Sequence, residues 1–198
     1  MKDVKPSDYF NDLLSNGGFP AGFPFKLLTD LIDVPQSPVH HPEGNVWNHT
    51  MLVVDNAAAR KQLSRDPRAL MWGALLHDLG KITTTKLRKG RITAYEHDVA
   101  GEKLARDFLR ACTGDEEFIK RVCALVRWHM QVLYVTRHLP FSDLRRMERE
   151  TDADEVALLS FCDRLGRGAL TEQTIEDELK NIEYFLHKCK RPKKAMQR

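Results

Sequence analysis

The stretch Ala69-Leu70-Met71-Trp72-Gly73-Ala74-Leu75-Leu76-His77-Asp78-Leu79-Gly80-Lys81 decides how this chain is read. An apolar run closes on an imidazole and a carboxylate side by side, just before a glycine turn. Burying both groups in such company without a strong partner costs several kcal/mol. The pair therefore reads as a metal foothold. Asp66 and Pro67, ahead of the run, make a helix start, with a capping carboxylate and a proline in the first turn. They predict a helix over 67–77.

Working outward, a 3.6-residue period predicts helices over 46–63, 95–112, 115–129, 141–149, 153–165 and 171–188. Shorter helices are expected over 7–15, stopped by Asn16-Gly17-Gly18, and over 24–32, ended before Pro35. Residues 34–44 are proline-rich and read as a loop, as does the polar, basic segment 82–94, where a small hairpin is the alternative. The fold class is all-α. The expected organisation is a short helical N-terminal segment packed on the domain (1–33), the domain itself (34–188) and a basic, frayed C-terminal tail (189–198).

The composition fits one soluble domain. The chain has 198 residues, 42% hydrophobic and 30% charged, enough to bury a real core. A formal charge of +3 is too small to argue for a nucleic-acid partner by itself. Cys112, Cys123, Cys162 and Cys189 form no C-x-x-C pair, which excludes a zinc knuckle and reads as reduced thiols. The N-terminus has no apolar signal core, and no run reaches the ~20 apolar residues of a membrane span. The expected location is cytoplasmic, with no membrane partner; the sequence leaves the oligomeric state open.

Five predicted helices carry a histidine or aspartate on the same face as their apolar stripe. His49 falls with Val46, Val53 and Ala57, and His77 with Leu70 and Ala74. His97 falls with Gly101, Leu104 and Phe108, His129 with Phe118, Val122 and Leu125, and Asp163 with Val156, Leu159 and Ser160. A lone core histidine is more often a satisfied structural residue than a ligand. Five helices aiming ionisable groups inward together are economically explained by a shared metal.

The pattern His49 … His77-Asp78 … Asp163 resembles the HD-domain superfamily of metal-dependent phosphohydrolases. It is most similar to the HD domain linked to bacterial tRNA CCA-adding nucleotidyltransferases. That likeness is carried by Val34-Pro35-Gln36, His41-Pro42-Glu43, Val46-Trp47-Asn48-His49-Thr50, the 74–81 motif and Cys162-Asp163-Arg164-Leu165-Gly166-Arg167. The family tends to carry Gly-His-Glu where this chain has Glu96-His97-Asp98. The likeness covers about 34–168 and implies a helical bundle with a metal site between helices. No nucleotidyltransferase head fits upstream, so a free-standing module without CCA addition is expected.

The resemblance implies that His49, His77, Asp78 and Asp163 bind a first metal. In two-metal members Asp78 would bridge, and His97 and His129 match the added ligands; they would otherwise donate to a phosphate. His138, beside Pro140, ranks lower. An all-N/O ligand set suits one or two divalent ions among Mn, Fe, Co, Ni and Zn. Asp78 and Lys81 are the expected catalytic residues. Lys81, Arg164, Arg167 and His41 are the expected substrate contacts, one arginine being reserved for a surface ion pair. Glu43 is placed with His41 at the pocket mouth, and the basic 86–91 loop is a lure for anions.

The expected function is hydrolysis of phosphomono- or phosphodiesters in small phosphorylated substrates. Nucleotides or 2′,3′-cyclic phosphates lead, and RNA is a further partner. The alternatives are a di-iron oxygenase on the same ligands, or a nucleotide-sensing module without turnover, against which the intact ligand set argues.

Overall fold

The computed structural model describes residues 5–168 and 170–189. The predicted basic tail beyond Cys189 lies outside the described residues. Helices dominate: α1 (Pro6–Ser15), α2 (Lys26–Thr29), α3 (Val46–Arg60), α4 (Pro67–Leu76), α5 (Lys81–Thr84), α6 (His97–Cys112), α7 (Glu116–Trp128), α8 (Gln131–Thr136), α9 (Leu144–Glu150), α10 (Ala153–Leu165) and α11 (Glu172–Cys189). Sequence-local capping sets the starts. Asp66 accepts from Ala69 N, Asp115 from Phe118 N and Asp143 from Arg146 N, each satisfying an otherwise orphaned donor.

Helices α3, α4, α7 and α10 pack on one another, and α6 lies along α7. Their shared interior holds Leu70, Leu76, Phe108, Phe118, Ile119 and Trp128, all essentially without exposure. Helix α1 packs on α3, where Ser7 N and Oγ donate to Asp55 and Trp47 Nε1 donates to Asn11. Helix α11 covers α10 and α8 and buries Phe185. No helix among the described residues is long and apolar enough to cross a membrane.

The segment expected to be a loop over 82–94 is a correction. It holds the short helix α5 and an antiparallel hairpin, β1 (Lys86–Arg88) with β2 (Arg91–Thr93). Its polar composition hid the strands, whose pairing is carried by backbone bonds and by a Lys89-Gly90 turn with both φ angles positive. Helix α8 is a second correction, since the prolonged apolar pattern after His129 continues into a separate helix after a break at His129-Met130. The helix expected from 95 starts at His97, because Glu96 sits at φ 58 in the left-handed region. The 24–32 helix divides into α2 and a 3₁₀ turn over Asp30–Asp33.

Candidate metal centre

The site is built from helix ends. His77 and His129 each occupy the position just past their helix, and His97 is the first residue of α6. All three make one local bond of the same kind. Nδ1 donates to the carbonyl three residues back: His77 to Ala74 O at 2.8 Å, His97 to Ala94 O at 2.8 Å, and His129 to Val126 O at 2.7 Å. A carbonyl only accepts, so in the neutral ring the proton sits on Nδ1. Nε2 is left as a lone pair aimed inward.

His49, on α3, reaches the same end by a longer route. Its Nδ1 lies 3.2 Å from Gly166 O and 3.0 Å from Glu43 Oε1, so a carboxylate stands behind the ring. Outer carboxylates of this type fix a ligand imidazole's orientation and raise its basicity. The 34–45 loop that delivers Glu43 is closed by a bridge between Pro35 and Asn45 and by Val46 N donating to Val34 O.

Asp78 stands between two histidine pairs. Its Oδ2 is 3.4 Å from His77 Nε2 and 3.7 Å from His49 Nε2, while Oδ1 is 3.5 Å from His97 Nε2 and 4.0 Å from His129 Nε2. Within each pair the Nε2 atoms approach closely, 3.4 Å for His49 and His77 and 3.2 Å for His97 and His129. Asp163 Oδ1, from α10, lies 2.9 Å from His49 Nε2. Asp78, His49, His77 and His129 are all under 3% exposed.

Lone pairs facing lone pairs and carboxylates in a buried place repel unless a cation lies among them. Asp78 Oδ2 is buried with no hydrogen bond, although the Lys81 ammonium is 2.7 Å away as an ion-pair partner. The ligand atoms of His49, His77 and Asp78 lie within 4.8 Å of one another, as do those of Asp78, His97 and His129. The donor set thus fits a divalent metal on either side of Asp78.

The charges respond accordingly. Burial alone would raise the Asp78 pKa, but Lys81 and His77 hold the carboxyl well below the carboxylate range. Asp163 is likewise held down, against burial, by His49 and Arg167. Burial depresses His49 too, but contact with Asp163 and Glu43 outweighs it and the pKa rises. His129 is pushed down to about 3 by burial and then by the neighbouring His97 and His77. Burial also lowers His97, and takes His41 to about 4 despite Glu43.

The centre opens into a cleft of about 460 Å³. Lys81 Nζ sits on its floor, shared between Asp78 and Gln36 Oε1, the latter at 2.6 Å. Gln36 Nε2 in turn donates to Asn45 O at 3.2 Å. His41 lines the cleft with Nδ1 on Glu43 Oε1 at 2.7 Å. The two arginines after Asp163 differ. Arg164 Nε donates to Glu178 Oε1 at 3.0 Å and enters the cleft with its charge paired, whereas Arg167 has a buried Nε without a partner. Burial lowers the Arg167 pKa. His138 lies away from the cluster, its ring edge-on to Tyr184.

Sequence reasoning gave no role to several residues that build this place, although Gln36 and Asp98 fall within the stretches that carry the resemblance. Gln36 and Arg137 line the cleft. Buried Asp98 and half-buried Arg127 form an ion pair that ties the start of α6 to the end of α7, and so His97 to His129. No local pattern gives their contacts, because their partners lie on other elements.

A family model described as the HD domain matches residues 46–168. The chain belongs to the HD-domain family. The HD pair is His77-Asp78, and the match runs from the start of α3 past Arg167. Among similar proteins is the Multifunctional CCA protein of Actinobacillus pleuropneumoniae serotype 5b, 37% identical over 116 residues, covering 57% of this chain and 27% of the relative. That of Aromatoleum aromaticum is 35% identical over 155 residues, covering 72% and 35%. That of Methylococcus capsulatus is 43% identical over 84 residues, covering 42% and 18%. The chain spans between 18% and 35% of the length of these relatives.

Proposed function

We propose that this HD domain is a metal-dependent phosphohydrolase acting on phosphomono- or phosphodiesters of nucleotides, with 2′,3′-cyclic phosphates as the first substrates to try. The observation that carries the reading is Asp78, whose two oxygens each face a pair of histidine Nε2 atoms. His49, His77, Asp78 and Asp163 would hold a first divalent ion, and His97 and His129 with Asp78 a second. Such ions, when bound, acidify water and draw charge from phosphoryl oxygens.

The chain's own residues supply the rest. Lys81 presents a fixed ammonium beside Asp78, where charge on a phosphoryl group would develop. Gln36 holds that ammonium from the other side. Arg167 offers guanidinium donors from the cleft wall for a substrate anion, and His41 adds a polar edge near the mouth. The Multifunctional CCA proteins similar to this chain favour nucleotides or RNA as the substrate class.

The test is metal analysis of the purified protein, then phosphate or nucleotide release from bis-p-nitrophenyl phosphate and cyclic nucleotides with each of Mn, Fe, Co, Ni and Zn. Turnover with at least one metal is expected. Bound iron with O₂ consumption and no phosphate release would replace hydrolysis by oxygenase chemistry. A metal-loaded protein inert toward the whole panel would leave a sensing module.

A further inference from the structure

The β1–β2 hairpin is built against its own stability. Its register sets Arg88 directly opposite Arg91 and Lys86 opposite Thr93, so alternation puts Lys86, Arg88 and Arg91 on one face. Like charges directly across a strand pair are destabilising. The turn adds Lys89 at φ 47, a left-handed conformation that asparagine or glycine adopts far more readily. None of the four cations makes an ion pair among the described residues, and Arg88 instead lies over the ring of Tyr95, 4.8 Å from its centroid. The strands are short, and Lys86, Arg88 and Arg91 are exposed while Ile92 and Thr93 are half-buried, so core packing does not explain the choice of the cationic residues.

The hairpin is also continuous with the cleft. Thr93, on the cationic face, and Ile92 both line it, as does Thr85 just before β1. A repelling cation row leading from a cleft lined by Lys81, Arg164 and Arg167 makes sense when a row of anions lies along it.

We infer that the hairpin is a docking surface for the backbone of a single-stranded nucleic acid whose end phosphate enters the cleft. This rests on the phosphohydrolase reading and extends it from small nucleotides to chain ends. Phosphates along the strand relieve the Arg88–Arg91 repulsion, and Tyr95, 60% exposed and backed by Arg88, offers an aromatic ring for stacking. The link to a cleft of about 460 Å³, room for a terminal nucleotide, favours a nucleic acid over an anionic membrane, which presents a plane of headgroups and no end to insert.

The test replaces Arg88 and Arg91 by threonine and Lys89 by asparagine, residues that suit strands and a left-handed turn, so the hairpin is retained. Binding of a short fluorescein-labelled oligouridylate to the metal-free protein is followed by anisotropy across a salt series. The triple variant should bind at least ~10-fold more weakly, and the slope of log K against log salt should shrink by about 2. In the metal-loaded protein, kcat/KM for the oligonucleotide end should fall while that for bis-p-nitrophenyl phosphate stays the same. Unchanged oligonucleotide binding, or binding of phosphatidylserine vesicles alone, overturns the docking surface. Equal loss on both substrates overturns it as well, showing that the hairpin shapes the centre. If wild type hydrolyses nothing, the phosphohydrolase reading fails, while the anisotropy still reads the hairpin.

Discussion

At the scale of single residues, each side chain in the centre has a different kind of consequence. Asp78 faces both histidine pairs, so Asp78→Ala should remove a ligand from each side and abolish metal binding, whereas His77→Ala should empty the first position, with elemental analysis as the measurement. His49→Ala and Asp163→Ala should empty the first position. His97→Ala or His129→Ala should leave one ion bound and lower turnover. Full metal content in Asp78→Ala would refute the shared-ligand arrangement. Lys81 behaves differently, because its ammonium is held by Asp78 and Gln36 and is not a metal ligand. Lys81→Ala should keep its metals and lose turnover on the order of 100- to 1000-fold, the usual effect of removing one donor to a developing anion. Unchanged kcat/KM would make Lys81 a structural counter-ion of Asp78. Gln36→Ala, which frees Lys81 without removing it, should fall between wild type and Lys81→Ala.

At the scale of elements, the centre depends on how closely the turn after α4 meets the start of α6. A Cβ placed on Gly80 would lie 1.9 Å from His97 O and 2.5 Å from Gly101 N. Those are backbone atoms of the first turns of α6, so no side-chain rotation relieves the overlap. Gly80→Ala must push α6 away and carry His97 with it. Overpacking of this sort costs about 1–3 kcal/mol. The thermal midpoint should therefore drop, and the affinity of the His97–His129 side for metal should drop more than that of the His49–His77 side. Differential metal titration by calorimetry measures both. Equal loss at the two sides would show a general loosening of the fold in place of a displaced α6.

At the scale of the whole molecule, the buried imidazoles couple folding to pH and to metal. His129 and His41 have folded pKa values near 3 and 4, against 6.5 in an exposed chain. A histidine lowered in this way binds its proton better when unfolded. Stability is therefore full above about 6.5 and declines as pH falls toward the folded values, by roughly 1.4 kcal/mol per pH unit for each ring. His49, whose pKa is raised, acts in the opposite sense and offsets part of the loss. Asp78 and Asp163, held low, keep contributing until pH falls through their depressed values. Thermal melts of chelated protein should show a falling midpoint from pH 6.5 to 5. Metal-loaded protein should melt higher, with a gain that shrinks in acid as protons compete for the imidazoles. A flat profile in the chelated protein would mean that His41 and His129 are solvated when metal is absent.

The all-α class and the helix starts were legible along the chain, because capping at Asp66 and Asp115 and the 3.6-residue apolar period are local properties. The sequence also pointed to His49, His77, Asp78, His97, His129 and Asp163, since an ionisable group on an apolar stripe stands out in one helix at a time. It left the hairpin as an alternative to a loop, because such strands are recognisable only by whom they pair with, and it did not reveal α8, which continues the apolar pattern of α7 without a proline or glycine to mark the break. The second layer was likewise decided only in three dimensions. Glu43 behind His49, Gln36 beside Lys81 and the Asp98–Arg127 pair join residues up to 45 positions apart. The pairing of Arg164 with Glu178 and the open donor of Arg167 separate two arginines that look alike in sequence. Periodicity records which way a side chain points from its own helix. What it meets there depends on how the other helices pack.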